Sequence, residues 1–477
     1  MLNFIENILC HFETCFSRKS AFRWFVVITV GLMLRSDKLG VTSIIRDLAL
    51  HPGCYDSMLH FFRASSWSLE EIRKRWFCAV KQYAPLYKEG NLHVLVGDGV
   101  KQSKEGRRMP GVKKLFQESE NSAKPEFIHG HMFGGLGILA GSVRRWACIP
   151  LSIRLHDGLQ AAREWKGASV SAASHVVQMV EDAWHAAHTF GDSLLLLDRY
   201  FLTVPALEKL KELNGSGSVH MEIVTKAKKS CTAYQKPGPR RPGRGRPPKK
   251  GAAVRLKELF GSHKGQFQEA EIELYGKKEA IRYYCIDLLW GQKLYQELRF
   301  VLVEMDGVQG ILASTSLALE PLSIIRLYSY RFRIECTFRE LKQQIGAFCY
   351  HFWSKYMPKL NYYQKKGEPT PMEQVEGERP RRKVLEAVRA IEMHMALSCI
   401  AMGILQGISI HFIGKVSSGQ IRYQRTPSRG RVSEAALMHY FRKHFFRLLG
   451  QKPELCITQI IQGLPEAPEE PWDCLAS

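Results

Sequence analysis

Helical spacing of apolar side chains dominates the first part of the chain. Residues 1–88 contain such runs, for example TSIIRDLAL at 42–50 and DSMLHFF at 56–62, joined by the turn-forming sequence HPGCY. No run in this region shows the strict apolar/polar alternation of a half-buried strand. The pattern predicts a helical N-terminal domain, in which two helices either read DNA as a helix-turn-helix or simply pack together as a core.

From Asn91 onward, apolar runs bounded by turn residues replace the helical spacing, which is typical of buried strands. The strand-like runs are 91–100, 125–141, 142–155, 191–201 and 218–228, and the amphipathic helical runs are 168–190 and 204–214. Their order along the chain is three strands, a helix, a strand, a helix and a strand. Such a series predicts an α/β fold with a mixed sheet covered by helices.

The pattern breaks at 227–251, where Pro, Gly, Arg and Lys are dense and almost nothing is available for burial. This composition predicts a mobile basic loop. Three β-rich runs follow at 279–290, 297–307 and 310–319, and they predict an inserted antiparallel sheet. Helical spacing returns from 322 to 347 and continues, after a polar loop, toward the end of the sequence.

These changes predict five regions along the chain. They are a helical domain that is a candidate for DNA binding (1–88), the first part of an α/β core (89–226), a basic loop with a β-rich insertion (227–319), the second part of the core (320–410) and a helical, basic C-terminal region (411–477).

Charge points to a polyanionic partner. The 477 residues include 68 Lys and Arg against 46 Asp and Glu, a net charge of +22, while 45% of the residues are hydrophobic. A folded and strongly basic protein favours nucleic acid, with an acidic membrane surface as the competing partner. The most apolar stretch, Trp24 to Leu34, is too short for the about 20 residues of a spanning helix, so we expect no membrane insertion.

The remaining compositional signals indicate an intracellular location. The N-terminal sequence has no basic segment ahead of an apolar run, so we expect no export. The twelve cysteines include no C-x-x-C pair, and reduced core thiols in a cytoplasmic protein fit this spacing best.

One helical segment concentrates polar groups suited to phosphate chemistry. At about 100° per residue, four of them fall within one narrow face: Tyr328, Arg331, Glu335 and Lys342. An adjoining stripe is apolar and suited to packing on a sheet: Ile334, Phe338, Leu341 and Ile345. A solvated charged face with ordinary ion pairs is the alternative interpretation.

Two further carboxylates favour a catalytic interpretation. Asp98 follows the apolar run HVLVG, and Asp198 follows SLLLL, so both are expected at strand ends. Together with Glu335 they would provide the oxygen ligands that Mg²⁺ prefers. Two such ions about 4 Å apart promote in-line displacement at a phosphodiester, with Arg331 and Lys342 clamping the phosphate.

With these residues the sequence resembles a known family. The spacing Tyr328-x2-Arg331-x3-Glu335-x6-Lys342 is similar to the YREK signature of the DDE transposases of bacterial insertion sequences, in the group named after insertion sequence four. Asp98 and Asp198 fall where that family has its two catalytic aspartates. The resemblance spans roughly residues 20 to 410.

The resemblance implies a ribonuclease-H-like core, interrupted by a β-rich insertion between the second Asp and the Glu. It implies that Asp98, Asp198 and Glu335 hold two Mg²⁺ ions, for which Mn²⁺ substitutes, while Tyr328, Arg331 and Lys342 handle DNA near the cut. It also implies cleavage at transposon ends and strand transfer into target DNA by a homodimer, in the cytoplasm and associated with the nucleoid.

Basic residues outside this signature are candidates for DNA contact. Four of them follow Asp98 closely and favour phosphate contact over a solvated loop: Lys101, Lys104, Arg107 and Arg108. Within the basic loop, GRGRP at 243–247 resembles the core of an AT-hook, in which Arg244 and Arg246 would enter an A·T minor groove. A short Gly/Pro-rich loop without that function is equally consistent with the motif.

Other conspicuous residues are interpreted as structural. His129 and His131 lack a third metal ligand nearby, so core or surface roles are favoured over metal binding. Trp290 ends an insertion strand, where some relatives hold a flipped base, but a core position is favoured.

Two other functions remain open at this point. One is a ribonuclease-H-like nuclease that cuts without joining, and the other is a non-catalytic DNA-binding protein descended from a transposase. The presence of Asp98, Asp198 and Glu335 argues against the second.

Overall fold

The computed structural model describes residues 1–38, 40–117, 125–141, 146–165, 174–238, 247–363, 367–412, 414–416 and 432–466. A mixed sheet of thirteen strands runs through this part of the chain, and helices pack on it. Its strands are β1 (Lys88–Glu89), β2 (Leu92–Ser103), β3 (Lys113–Phe116), β4 (Phe127–Ala140), β5 (Ala147–Leu155), β6 (Ser193–Leu196), β7 (Met221–Lys226), β8 (Thr232–Tyr234), β9 (Ala253–Arg255), β10 (Gln268–Leu274), β11 (Lys277–Trp290), β12 (Gln296–Met305) and β13 (Val308–Ser314).

The helices precede, interrupt and follow the sheet. They are α1 (Leu2–Cys10), α2 (Lys19–Leu34), α3 (Thr42–Asp47), α4 (Cys54–Arg63), α5 (Leu69–Tyr83), α6 (Gln160–Glu164), α7 (His175–Phe190), α8 (Val204–Ser216), α9 (Leu259–Ser262), α10 (Pro321–Tyr330), α11 (Phe332–Glu340), α12 (Glu378–His411), α13 (Glu434–Gly450) and α14 (Cys456–Gln462). A π-helical turn, Leu341–Ile345, continues α11.

The centre of the sheet has the order β5-β4-β2-β6-β7. The first three of these strands are antiparallel, and β6 lies parallel to both β2 and β7. All four residues of β6 are buried, as expected for a parallel strand covered on both faces. This arrangement confirms the predicted mixed α/β sheet and is consistent with a ribonuclease-H-like fold.

The β-rich runs beyond residue 276 extend this central sheet. Strands β11, β12 and β13 are antiparallel to one another, and β13 pairs with β7. A second core of buried side chains packs on these strands, and it includes Phe300, Leu298 and Leu288. The strands are antiparallel to one another, as the sequence pattern predicted, and they continue the central sheet through β7.

One described part of the predicted basic loop forms a strand. Residues 232–234 form β8, which pairs with β9 and with β11, although 227–251 was predicted to be loop throughout. Ala233 is fully buried in the second core, and a three-residue strand in a Pro- and Gly-rich sequence gives no periodic signal.

Helix α12 is the central helix of the fold. It packs on β5 and, on other sides, against α2, α4 and α5. By length and hydropathy it is a candidate membrane span, but 94% of its most apolar window is buried inside the protein. Because α12 packs against other elements on several sides, it lacks the polar face of a surface helix.

Candidate active site

Strand β2 places Asp98 at the centre of the sheet. Its neighbours Gly97 and Gly99 face the side chains of α7, so Asp98 projects from the opposite face, where α11 packs. One carboxylate oxygen of Asp98 accepts the Gly99 N–H at 2.7 Å, and the other accepts from the Arg331 guanidinium at 3.2 Å.

The parallel pairing of β2 and β6 brings Asp198 alongside Asp98. The register aligns Val96 with Leu196, and each aspartate lies two residues further along its strand direction. The backbone carbonyl of Asp198 accepts a hydrogen bond from the Thr225 hydroxyl at 2.8 Å, which anchors this turn to β7. The Tyr328 hydroxyl points at the Asp198 carboxylate across 3.5 Å, a long contact.

Helix α11 supplies Glu335, and Arg331 lies between the carboxylates. The Arg331 guanidinium donates to Glu335 with one nitrogen and to Asp98 with another. It is well enclosed, with 14% of its side chain exposed. Side chains separated by more than 230 residues in sequence are thus joined in one cluster.

A glycine allows α11 to lie close to the sheet. Gly135 pairs with Asp98 across β4 and β2, and a Cβ there would lie 2.5 Å from the Phe338 ring. Any larger residue would push the helix outward. Ile334 and Phe338 are buried against the sheet, which confirms the predicted apolar stripe.

The electrostatics of the cluster reflect burial and crowded carboxylates. Burial raises the pKa of Asp98 to about 6, with further contributions from Asp198 and Glu335, against the opposing effects of Arg331 and the Gly99 N–H. Burial opposes the charge on Arg331, but Asp98 and the other nearby negative groups raise its pKa overall. Burial also raises the pKa of Tyr328, so its hydroxyl stays protonated and can donate a hydrogen bond.

The donor set suits a hard divalent cation, since three carboxylates converge from two strands and one helix. The three carboxylates do not form a compact single-ion cage, because within the described ranges the only three His, Cys, Asp or Glu donors that lie mutually within 4.8 Å belong to Glu6, Cys10 and Cys456. Two ions about 4 Å apart need donors that are spread more widely than those of a single-ion site. In this structure the guanidinium of Arg331 lies between Asp98 and Glu335 and pairs with both.

Lys342 lies beyond this cluster on the π-helical turn. Its ammonium is 5.5 Å from the centre of the Phe348 ring. A π-helical turn holds more residues than an α-helical turn, so the α-helical angle assumed for position 342 does not apply to it.

The predicted DNA-contacting lysines and arginines differ in their surroundings. Arg107 and Arg108 are exposed, with Arg107 stacked 4.5 Å from the Tyr362 ring and Arg108 donating to backbone carbonyls of 355 and 357. Lys101 donates to the Phe116 carbonyl at 2.7 Å. Arg244 and Arg246 lie outside the described residues.

For Lys104 the prediction is wrong. Its side chain is buried, and its ammonium donates to the carbonyls of Phe348 and Tyr350 at 2.6 and 3.2 Å. Burial lowers its pKa to about 8. A phosphate cannot reach this ammonium, which instead fastens the segment after β2 to the segment after α11.

The residues interpreted as structural have structural contacts. Both ring nitrogens of His131 are used, one with the Tyr350 hydroxyl at 2.6 Å and one with the Pro110 carbonyl at 2.8 Å. Trp290 packs on the second core, and its N–H donates to the sulfur of Cys231 at 3.1 Å.

Two exposed aromatic residues beside the cluster were missed by sequence reasoning. Tyr200 is 54% exposed and lies two positions after Asp198, and Phe332 is 49% exposed and follows Arg331 directly. Exposed aromatic rings can stack on nucleic-acid bases. The available signal was their sequence adjacency to predicted site residues.

Comparison with known protein families agrees with this geometry. The model of the family described as "DDE superfamily endonuclease" matches residues 11–279, more than half of the chain and including Asp98 and Asp198. No curated protein and no solved structure matches the sequence. The match ends before Glu335, so the contact of this carboxylate with the same arginine as Asp98 comes from the structure alone. On the extent of the family match, the chain belongs to the DDE superfamily of endonucleases.

Proposed function

We propose that the protein is a DNA transposase of the YREK-bearing insertion sequence four group, and that Asp98, Asp198 and Glu335 are its catalytic carboxylates. The observation that supports this most directly is the bridge from Arg331 to both Asp98 and Glu335, beside Asp198. It joins Asp98, which lies with Asp198 inside the region matched by the family model, to a glutamate that follows a β-rich segment.

The carboxylates would hold two Mg²⁺ ions, with Mn²⁺ as a substitute. Carboxylate oxygens are the donors these cations prefer, and a positive charge would offset the burial and the neighbouring carboxylates that raise the pKa of Asp98. Bound there, the ions would supply Lewis-acid stabilisation of the attacking and leaving oxygens of the phosphodiester.

The other residues of the cluster would position DNA. Once its carboxylate partners are neutralised, Arg331 is free to donate two parallel hydrogen bonds to a phosphate. Tyr328 offers a protonated hydroxyl, and Lys342 adds a positive charge further along the same helical segment. Arg107 and Arg108 would extend the phosphate contacts along the surface.

Substrate and assembly follow from this proposal. The net charge of +22 suits a DNA polyanion, and the reaction would consist of cleavage at element ends followed by strand transfer to target DNA. A homodimer would bridge the two ends, working in the cytoplasm on nucleoid DNA.

The test is a reaction of purified protein with Mg²⁺, a DNA fragment containing the sequences that flank the gene, and a supercoiled target plasmid. We expect cleaved ends and joined products, both lost in Asp98→Ala, Asp198→Ala and Glu335→Gln. The matched control is Glu208→Gln, an exposed carboxylate on α8, which should react like wild type.

The products distinguish the proposal from its rivals. Cleaved DNA without joined products would indicate a nuclease that does not transfer strands. Binding of the fragment without cleavage in the wild-type protein would indicate a DNA-binding protein that has lost catalysis.

A further inference from the structure

A second group of metal-ligating side chains lies far from the active site in sequence. It joins α1 at one end of the chain to α14 near the other. Donor atoms of Glu6, Cys10 and Cys456 all lie within 4.8 Å of one another, and within the described residues this is the only group of three His, Cys, Asp or Glu side chains that meets this distance.

Local structure aligns the three donors. Glu6 and Cys10 are four residues apart on α1, so they share one face of the helix. Cys456 is the first residue of α14, and this helix starts beside that face.

The carboxylate is held in a fixed orientation. Its two oxygens accept the backbone N–H groups of Cys456 and Ile457 at 2.8 and 2.9 Å. Each oxygen of an ionised carboxylate has a second lone pair, so these bonds leave acceptor capacity for another partner. Such outer hydrogen bonds orient the ligands of metal sites.

The donor types identify the cation. Two sulfurs and one carboxylate disfavour Mg²⁺, which prefers oxygen ligands and keeps much of its water, and favour Zn²⁺ or another thiophilic ion. Three protein donors leave the fourth position of a tetrahedral zinc site to water.

We propose that Glu6, Cys10 and Cys456 form a zinc site that fastens α14 to α1. Its binding of Zn²⁺ releases the protons of the two thiols and changes no oxidation state.

The site is separate from the catalytic carboxylates, and its existence does not depend on the proposed function. One practical consequence is that a chelator would remove both kinds of metal, so loss of activity with a chelator alone would not identify the ion at the active site.

The experiment uses the full chain, freed of metal by chelation under reducing conditions and then equilibrated with Zn²⁺ or with Co²⁺ as a spectroscopic probe. We expect one tightly held zinc ion per chain by elemental analysis, and a thiolate-to-cobalt charge-transfer band. Both should be lost in Cys10→Ser and in Cys456→Ser, and weakened in Glu6→Gln.

Cys78→Ser is the matched control, because Cys78 is an exposed thiol on another helix, α5. It should keep the zinc and the cobalt band, as should Glu335→Gln. Far-ultraviolet circular dichroism would verify that the cysteine variants fold, so that loss of zinc is not loss of structure.

Two results would overturn the proposal. The first is the same zinc content and the same cobalt band in folded Cys10→Ser as in wild type. The second is a wild-type chain, purified with its thiols blocked, whose mass and peptide map show a Cys10–Cys456 disulfide; the pair would then be a redox link.

Discussion

Replacing Arg331 by alanine tests whether this guanidinium competes with a divalent metal ion for the carboxylates of Asp98 and Glu335. Its two ion pairs, to Asp98 and Glu335, must both be given up before a metal can bind those oxygens. We therefore expect Arg331→Ala to bind Mn²⁺ more tightly than wild type in the absence of DNA, even though the same substitution should impair cleavage.

The size of the effect follows from the exposure of the partners. The Asp98 side chain is 20% exposed and that of Glu335 is 40% exposed, so solvent screens both pairs and each is worth about 1 kcal/mol. The sum, about 2 kcal/mol, corresponds to a Kd for Mn²⁺ lowered about 30-fold. The metal-free variant should also unfold more easily, because its carboxylates repel one another without a counter-charge.

The assay is isothermal titration calorimetry with Mn²⁺ on wild type, Arg331→Ala and the control Arg339→Ala. Arg339 lies on α11, the helix whose N-terminus Arg331 caps, but it is 58% exposed and its ion pair within the described residues is with its neighbour Glu340, so its loss should leave the Mn²⁺ affinity unchanged. Equal or weaker Mn²⁺ binding by Arg331→Ala would refute the idea that Arg331 competes with the metal.

Adding DNA extends this prediction. A phosphate that accepts Arg331 frees the carboxylates, so DNA and metal should each strengthen the binding of the other by the same factor. A duplex oligonucleotide should therefore raise the Mn²⁺ affinity of wild type and have little effect on that of Arg331→Ala. An equal rise in both proteins would show that the coupling does not pass through this side chain.

Three further predictions concern metal, DNA and pH. In thermal melts, a hundredfold excess of Mg²⁺ or Mn²⁺ over Kd should stabilise wild type by about 2.7 kcal/mol and Glu335→Gln by much less; equal shifts would remove Glu335 from the site. Replacing the four arginines in 239–246 by alanine should reduce the slope of log K against log salt by up to about 3.6, and an unchanged slope would show that the segment makes no phosphate contact. Burial lowers the pKa of His131 and of His394 to about 3, so the unfolded chain binds more protons below pH 6.5 and stability should fall as pH drops from 6.5 toward 3; urea unfolding at pH 7.5 and 5 checks this, and equal free energies of unfolding would contradict it.

The part of the site that lies on the sheet could be predicted from the sequence. Asp98 and Asp198 each follow an uninterrupted apolar run, which is the signature of a strand buried on both faces. Adjacent parallel strands put residues at equal offsets side by side, and the β2–β6 register does so here. The apolar stripe beside Glu335 likewise identified the helix face that packs on the sheet.

The residues that escaped prediction depend on partners that are distant in sequence. Lys104 has the local sequence of a solvated basic turn, and its inward direction is set by carbonyls at 348 and 350. Cys10 and Cys456 have no spacing motif, because two helices at opposite ends of the chain bring them together. Strand β8 is too short to show a period, and its partners β9 and β11 define it.

Because α12 packs on β5, the central sheet is covered only late in synthesis. Strand β5 ends at Leu155, but the helix that covers it spans Glu378–His411. Strand β7 likewise pairs with a strand that is synthesised later, β13 at Val308–Ser314. At about 5 to 20 residues per second, the ribosome needs on the order of ten seconds or more to supply α12 after β5 has emerged. During that interval the nascent chain exposes an apolar sheet face, and for most of it Glu335 has not yet been made. If the proposed function holds, chains that terminate before Glu335 would therefore expose apolar surface without being nucleases, and DNA cleavage would begin only after α12 has been made.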